Sequence, residues 1–312
     1  MTLADIKYKI TYGALYVFSL LPLRVLYVFS DVAFFIIYYL TRYRKKVVRK
    51  NLRNSFPGMS EKEMLSIERR FFRWFCDYVF ETLKLPSISR EEMARRMRFE
   101  GMEEARKFLD QKIPIFMYLG HYCNWEWVTT FAMHAPDCLC GNLYHELENK
   151  TADRIFLKLR TRFGAHGVKM EDTLPTLSQW HRQNKAMVIG FVSDQVPGFS
   201  SMHYWPTFLN QLTPTYSGAE RIARIFNGAA FYMDIKRPKR GYYVATLVKI
   251  SDCAKDEPKF ALTEKYYRLL EKTIIENPPY WLWSHNRWKR TWEDFCRFYP
   301  DEKERKRIMS KL

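Results

Sequence analysis

Ile113-Pro114-Ile115-Phe116-Met117-Tyr118-Leu119-Gly120-His121-Tyr122-Cys123-Asn124-Trp125-Glu126 is the stretch from which the fold is read. The apolar run Ile113 to Leu119 has the length and composition of a buried strand. Gly120 permits a sharp turn and a close backbone approach to a ligand. His121 then falls at the carboxyl end of that strand, and Glu126 in the first turn of the helix that follows. On one regular helix, residues five apart point about 140° away from each other. A strand-turn-helix corner removes that obstacle, because the carboxylate can reach back toward the imidazole. Such a pair suits deprotonation of a hydroxyl: the imidazole takes the proton, and the carboxylate fixes its tautomer. The spacing alone is common by chance, so its weight comes from its place after a strand and a glycine.

Outward from this corner, short apolar runs alternate with helical stretches. Strands are expected at Ala186–Val192, Ala229–Ile235 and Tyr242–Val248. Helices are expected at Glu126–Met133, Ala152–Phe163, Ser217–Phe226 and Thr263–Glu276. That alternation predicts an α/β domain with helices packed on a central sheet over residues 111–312. Residues 42–110 read as helical. Ser60 and Glu63 form a capping box ahead of a long helix, Glu61 to Leu85, whose apolar stripe ends at Pro86. There is no repeat, low-complexity tract or flexible linker. No P-loop or Gly-x-Gly-x-x-Gly follows a strand, which removes support for nucleotide binding. No Gly-x-Ser-x-Gly elbow is formed either.

The 312 residues carry 51 Lys plus Arg against 34 Asp plus Glu, a formal charge of +17. A surplus that large points to an anionic partner: nucleic acid, a membrane surface, a phosphorylated lipid or an acidic carrier protein. The six cysteines form no metal-like spacing and read as free thiols of a reducing compartment. Cys123 reads as a small, variable position inside the motif rather than a nucleophile. No metal or bound cofactor is called for.

Residues 10–41 carry only two charges, Arg24 and Asp31, with Pro22 between apolar halves. Every 18-residue window holds a charge, so this is not a clean spanning signal. Nor does a small-residue cleavage site follow, as a secretory signal requires. Tyrosines at 8, 12, 16, 27, 38, 39 and 43 suit a membrane–water interface. Arg42, Arg44, Lys45, Lys46, Arg49, Lys50 and Arg53 follow at once. Residues 1–41 are therefore expected to form a helical membrane anchor, spanning or monotopic, with the bulk of the protein on the cytoplasmic side.

Five segments, in order, resemble the late acyltransferases of lipid A biosynthesis, the bacterial lauroyl/myristoyl transferase family. They are Tyr43 through Pro57, Gly120 through Glu126, Leu159-Arg160-Thr161-Arg162-Phe163-Gly164, Ser193-Asp194-Gln195-Val196-Pro197-Gly198, and Asn277 through Lys289 with its Trp-x-x-x-His-x-Arg-Trp-Lys end. One departure is Asn210, where the resemblance leads one to expect glycine. The resemblance implies a mixed sheet of the glycerolipid-acyltransferase kind. It also implies transfer of a fatty acyl chain from acyl carrier protein to a hydroxyl of a lipid A precursor, at the bacterial inner membrane. The carrier's phosphopantetheine arrives with the substrate. His121 is then the general base and Glu126 its orienting carboxylate. Arg160 or Arg162 meets the oxyanion or an acceptor phosphate, and spacing cannot separate the two. Asp194 and Gln195 fall at the same sheet edge as His121. Arg287 and Lys289 face phosphates or the acidic carrier, and Trp281, Trp283 and Trp288 the membrane interface.

Two other readings stand beside it. One is an acyltransferase of the same fold whose acceptor is a lysophospholipid, an aminolipid or another glycolipid. The other is a basic, membrane-bound binding module without catalysis, nucleic acid included. Against the latter, the charge is spread along the chain and no nucleic-acid motif appears.

Overall fold

Every residue of the strand Ile115–Leu119 is buried in a computed structural model of the chain, which describes residues 2–312. The elements, in chain order, are α1 (Leu3–Ser19), α2 (Leu23–Phe35), α3 (Lys45–Ser55), α4 (Glu61–Lys84), α5 (Arg90–Arg96), β1 (Met97–Glu100), α6 (Met102–Asp110), β2 (Ile115–Leu119), β3 (Leu139–Tyr144), α7 (Lys150–Thr161), β4 (His166–Lys169), α8 (Thr173–Arg182) and β5 (Met187–Val192). After them come β6 (Thr207–Phe208), β7 (Gln211–Leu212), α9 (Gly218–Ile225), β8 (Ala229–Lys239), β9 (Tyr242–Ser251), α10 (Ala261–Glu276), α11 (Trp292–Phe298) and α12 (Glu302–Met309).

Seven strands form one sheet in the order β1-β9-β8-β2-β5-β3-β4. Only β8 and β9 run antiparallel, as a hairpin; every other neighbouring pair is parallel. Parallel neighbours need crossovers, and helices on the sheet faces supply them. The expected α/β class and mixed sheet are what the chain forms. The central strands are also the ones that read as unbroken apolar runs, because both their faces are covered.

Two local expectations differ. Met97–Glu100, inside the stretch read as helical, is an edge strand paired with β9. The segment after the key corner is a 3-10 helix, Trp127–Met133, rather than an α-helix. There the Thr129 and Thr130 hydroxyls donate to the carbonyls of Glu126 and Trp127, three residues back, at 2.9 and 2.6 Å. Such back-bonding competes with regular α-helical turns. The departure at Asn210 is also explained. Leu209 and Asn210 have φ of 49° and 59° and form the two-residue link between β6 and β7. Hairpin links of this length need positive φ, which asparagine adopts almost as readily as glycine.

The amino-terminal segment is a pair of helices rather than one. Pro22 opens α2 with φ of −56° and breaks the run from α1. α2 continues through a π-helical turn, Ile36–Thr41, and Leu23–Thr41 is long and apolar enough to cross a membrane. One face of α2 is nevertheless fixed to α4. Leu26, Phe34 and Tyr38 are buried there. Ser30 donates to Asp77 at 2.7 Å and Tyr27 to Glu81 at 2.9 Å. Arg240, from the β8–β9 turn, bridges Asp31 and Asp77. Of the interfacial tyrosines expected, Tyr16, Tyr39 and Tyr43 are exposed, whereas Tyr27 and Tyr38 turn inward.

Candidate active site

Register alone brings the central pair together. In the parallel ladder of β2 and β5, Leu119 lies opposite Val192. His121 and Asp194 each lie two residues past that rung, so both emerge side by side at the carboxyl edge of the sheet, where open α/β sheets bind their ligands. His121 Nδ1 lies 2.5 Å from Asp194 Oδ1, and the His121 main-chain N–H donates to Asp194 Oδ2 at 2.8 Å. An ionised carboxylate only accepts, so Nδ1 carries the proton and Nε2 keeps its lone pair. Burial alone raises the Asp194 pKa. The positive charge that His121 carries once protonated, with hydrogen bonds from its ring, the Trp281 indole and the His121 main chain, outweighs burial and brings it to about 2. Trp281 Nε1–H donates to Oδ2 at 2.7 Å. Helix α10 braces both strand ends: the Tyr266 hydroxyl donates to the Leu119 carbonyl and that of Tyr267 to the Ser193 carbonyl, each at 2.9 Å. The Gln195 amide stands 3.1 Å from His121 Nε2 and donates to that lone pair.

Glu126 has a different partner from the one its spacing suggests. Arg160, near the end of α7, holds it in a two-pronged ion pair, Nε at 2.8 Å and Nη2 at 2.6 Å. The orienting carboxylate of His121 is therefore Asp194. Glu126 instead fixes a guanidinium, whose third nitrogen, Nη1, this pair does not engage. The geometry is the strong, planar kind that lysine cannot reproduce. The loop between them is held by buried polar contacts. Asn124 Nδ2 donates to Glu81 at 2.7 Å, and Tyr243 donates to the same carboxylate oxygen at 2.7 Å. Trp125 stacks on Tyr78 with ring centres 4.1 Å apart and sets its edge against His121. Burial holds the Cys123 thiol in its neutral form, well above the usual thiol range, so it offers no thiolate.

His121, Gln195, Glu126 and Arg160 are among the residues that line a cavity of about 650 Å³. That size suits a small-molecule or lipid-chain site. Alternate residues of the sheet, Met117 and Leu119 from β2 and Val188, Gly190 and Val192 from β5, form one wall. Val128, Phe131 and Ala132 of the 3-10 helix also line it. The result is a cavity with an apolar wall along the sheet and the 3-10 helix, lined also by the His121 imidazole, the Arg160 guanidinium and other polar groups such as Asn142, His203 and Arg221.

The other expected residues lie elsewhere. Arg162 donates to the Leu85 and Ile88 carbonyls at 2.7 and 2.6 Å, closing the end of α4; of the two arginines, only Arg160 lines the cavity. Arg287 is fully buried and donates to the Pro214 carbonyl and the Tyr267 hydroxyl, so it faces neither phosphate nor carrier. Lys289 is exposed, beside Arg290 and Arg297. Trp281 and Trp283 are core residues and Trp288 is half-buried, so none of the three forms an exposed interfacial belt. Sequence reasoning missed Trp281 as the donor that fixes Asp194, because a tryptophan among basic residues reads as surface. It also missed Trp125, which carried a signal only in standing beside Glu126.

His285 is a further buried titratable group near the pair. Its Nε2 accepts from the Val196 N–H at 3.4 Å. Burial pushes its pKa down from 6.5 to about 4, with Asp194 opposing and Arg287 reinforcing the shift. Above pH 6.5 the ring is neutral folded or unfolded, and its contribution is fully present. Between 6.5 and 4 the unfolded chain binds the extra proton, so stability falls with pH by roughly 3 kcal/mol across that window. Denaturant titrations at pH 7 and 4.5 check this: the drop should be clearly smaller in His285→Gln than in the unmodified chain.

The sequence pattern of the family described as bacterial lipid A biosynthesis acyltransferase matches residues 5–290. A relative, the lipid A biosynthesis lauroyltransferase of Escherichia coli (strain K12), is 25% identical over 251 residues, covering 79% of each chain. The match runs through every element that builds the site, from the helical pair to Trp281, and the chain therefore belongs to the bacterial lipid A biosynthesis acyltransferase family.

Proposed function

We propose that this acyltransferase moves a fatty acyl chain from the thioester of acyl carrier protein to a hydroxyl of a lipid A precursor, at the cytoplasmic face of the bacterial inner membrane. The observation that carries this reading is the His121–Asp194 pair, whose imidazole lines a cavity with an apolar wall. The acyl chain lies in the cavity with its thioester carbonyl near His121. Gln195 gives way at Nε2 to the acceptor hydroxyl. Nε2 takes the hydroxyl proton as the oxygen attacks the carbonyl carbon, and the C–S bond then breaks. The departing thiolate takes the proton back from His121, which restores the base. A thioester is already activated, so no covalent acyl-enzyme is required.

Negative charge develops on the carbonyl oxygen during attack and needs a preorganised donor. Arg160 supplies it through the nitrogen that Glu126 leaves unengaged, and Glu126 keeps the guanidinium in plane. Arg160→Lys retains the charge but loses the fork. It is expected to lower kcat by about 10²-fold with a smaller change in KM, checked by steady-state kinetics. The +17 charge suits both an acidic carrier and a phosphorylated acceptor.

The decisive experiment incubates purified enzyme with acyl carrier protein thioesters and candidate acceptors, with products read by mass spectrometry. Acylation of a lipid A precursor is expected. Failure on every such precursor, with acylation of a lysophospholipid or aminolipid instead, would transfer the reading to those acceptors.

A further inference from the structure

We infer that the α1–α2 pair does not cross the bilayer but lies along its surface, as a monotopic seat for membranes rich in anionic phospholipid. This deepens the proposed reaction at a membrane and rests on that reading. The first observation is an unpartnered apolar stripe. Val25, Val28, Val32, Phe35, Ile36 and Leu40 are all exposed, at the spacing of one helix face. On α1, Leu3, Ile10, Val17 and Leu20 are exposed too. A stripe this long in a soluble chain marks an interaction surface.

The second observation is that the opposite face cannot leave the domain. A spanning α2 would have to withdraw Tyr27 from Glu81, Ser30 from Asp77 and Asp31 from Arg240. Asp77 and Glu81 are 1% and 0% exposed, so their pairing is needed where they stand. Glu81 also holds Asn124 of the site loop, so withdrawal would disturb the site itself. α1 is fixed likewise. Asp5 pairs with Arg154 at 2.9 Å, while Arg154 and Lys158 of α7 lie over the Tyr8 and Tyr12 rings. Both helices thus present one apolar side outward while clamped on the other, the arrangement of an in-plane interfacial helix.

The third observation is charge. The carboxyl end of the α2 run opens into a groove lined by Tyr39, Arg42, Lys46, Lys62, Arg69 and Arg70. Among the described residues, none of those five cations is within ion-pair distance of a carboxylate. Arg42 and Arg44 flank the exposed Tyr43, each with φ of 51°. A cationic rim continuous with an apolar stripe matches phosphate headgroups above acyl chains.

The test floats the full-length protein with preformed vesicles on a density gradient, using phosphatidylcholine alone or with phosphatidylglycerol. The unmodified chain is expected to float with both and more with the anionic vesicles. Val28→Glu with Val32→Glu should lower partitioning to either vesicle about tenfold or more. Lys46→Glu with Arg69→Glu should remove only the preference for phosphatidylglycerol. Thermal unfolding by circular dichroism checks that both variants fold. In spheroplasts, Lys7→Cys should react with an impermeant maleimide only after lysis. Labelling of Lys7→Cys in intact spheroplasts would put α1 across the membrane and overturn the proposal, as would full flotation of the stripe variant. A rim variant that keeps its lipid preference but loses affinity for acyl carrier protein would reassign the groove to the carrier and overturn its lipid role. Wild-type transfer to a detergent-dispersed acceptor reports on the reaction alone. A chain that reacts there but never floats refutes the seat and leaves the reaction standing.

Discussion

Replacing His121 by alanine is expected to lower kcat for acyl transfer by about 10³- to 10⁴-fold, with KM for the acyl donor changed far less. The reason is the division of labour in the site. The cavity proposed for the acyl chain is walled by β2, β5 and the 3-10 helix, and those walls remain when the imidazole is removed. What disappears is the lone pair at Nε2, and an alkyl hydroxyl is a poor nucleophile at neutral pH without a base. Single-turnover assays with acyl carrier protein thioester, beside a binding measurement with the same donor, separate the two quantities. Equal activity in the variant would mean that another group takes the proton and that His121 is structural.

Asp194→Asn tests the other half of the pair and is expected to cost about 10³-fold in kcat. The amide is nearly isosteric, and its oxygen can still accept the two bonds that Oδ2 takes from the His121 main chain and Trp281. Asp194 now accepts three, from the His121 ring, the His121 main chain and the Trp281 indole. An asparagine that turns its NH2 toward Nδ1 forces the ring into the other tautomer, with the proton on Nε2, where the base is needed. Nitrogen-15 NMR of the labelled imidazole reads the tautomer directly. The expected result is a swapped tautomer together with the lost rate, and Asp194→Glu should recover part of the activity. Because Asp194 is held at about pKa 2, it stays ionised over the working range, and an acid limb in the pH–rate profile must belong to another group. If Asp194→Asn retains full rate, orientation by this carboxylate is not what the reaction uses.

How far the sequence is legible depends on range. β2, β5, β8 and β9 could be read because each is a run of apolar residues long enough to outweigh helix propensity. Met97–Glu100 could not: four residues with Arg98 and Glu100 among them carry no usable period, and the strand exists because β9 offers an edge. The site shows the same division. His121 was legible from its corner, and Asp194 from its position after a strand. Their pairing was not, because they stand 73 positions apart and are brought together only by the β2–β5 register. Glu126 lay near in sequence and so claimed the role, whereas Arg160, 34 residues on, is what it meets. Arg287 misled in the opposite sense. A cation beside tryptophans reads as a wet surface, yet it is sealed against Tyr267 and Pro214. The clamped side of α2 was hidden too, since a lone Asp31 in an apolar run gives no hint that Arg240 waits for it.

The three donors that meet at Asp194 come from only two residues, His121 and Trp281, which lie far apart in the order of synthesis. His121 emerges from the ribosome well before the Trp281 indole that completes the set. A growing or truncated chain can therefore lay down most of the sheet while its imidazole still lacks a fixed orientation. The fixed orientation waits for the segment that carries Trp281.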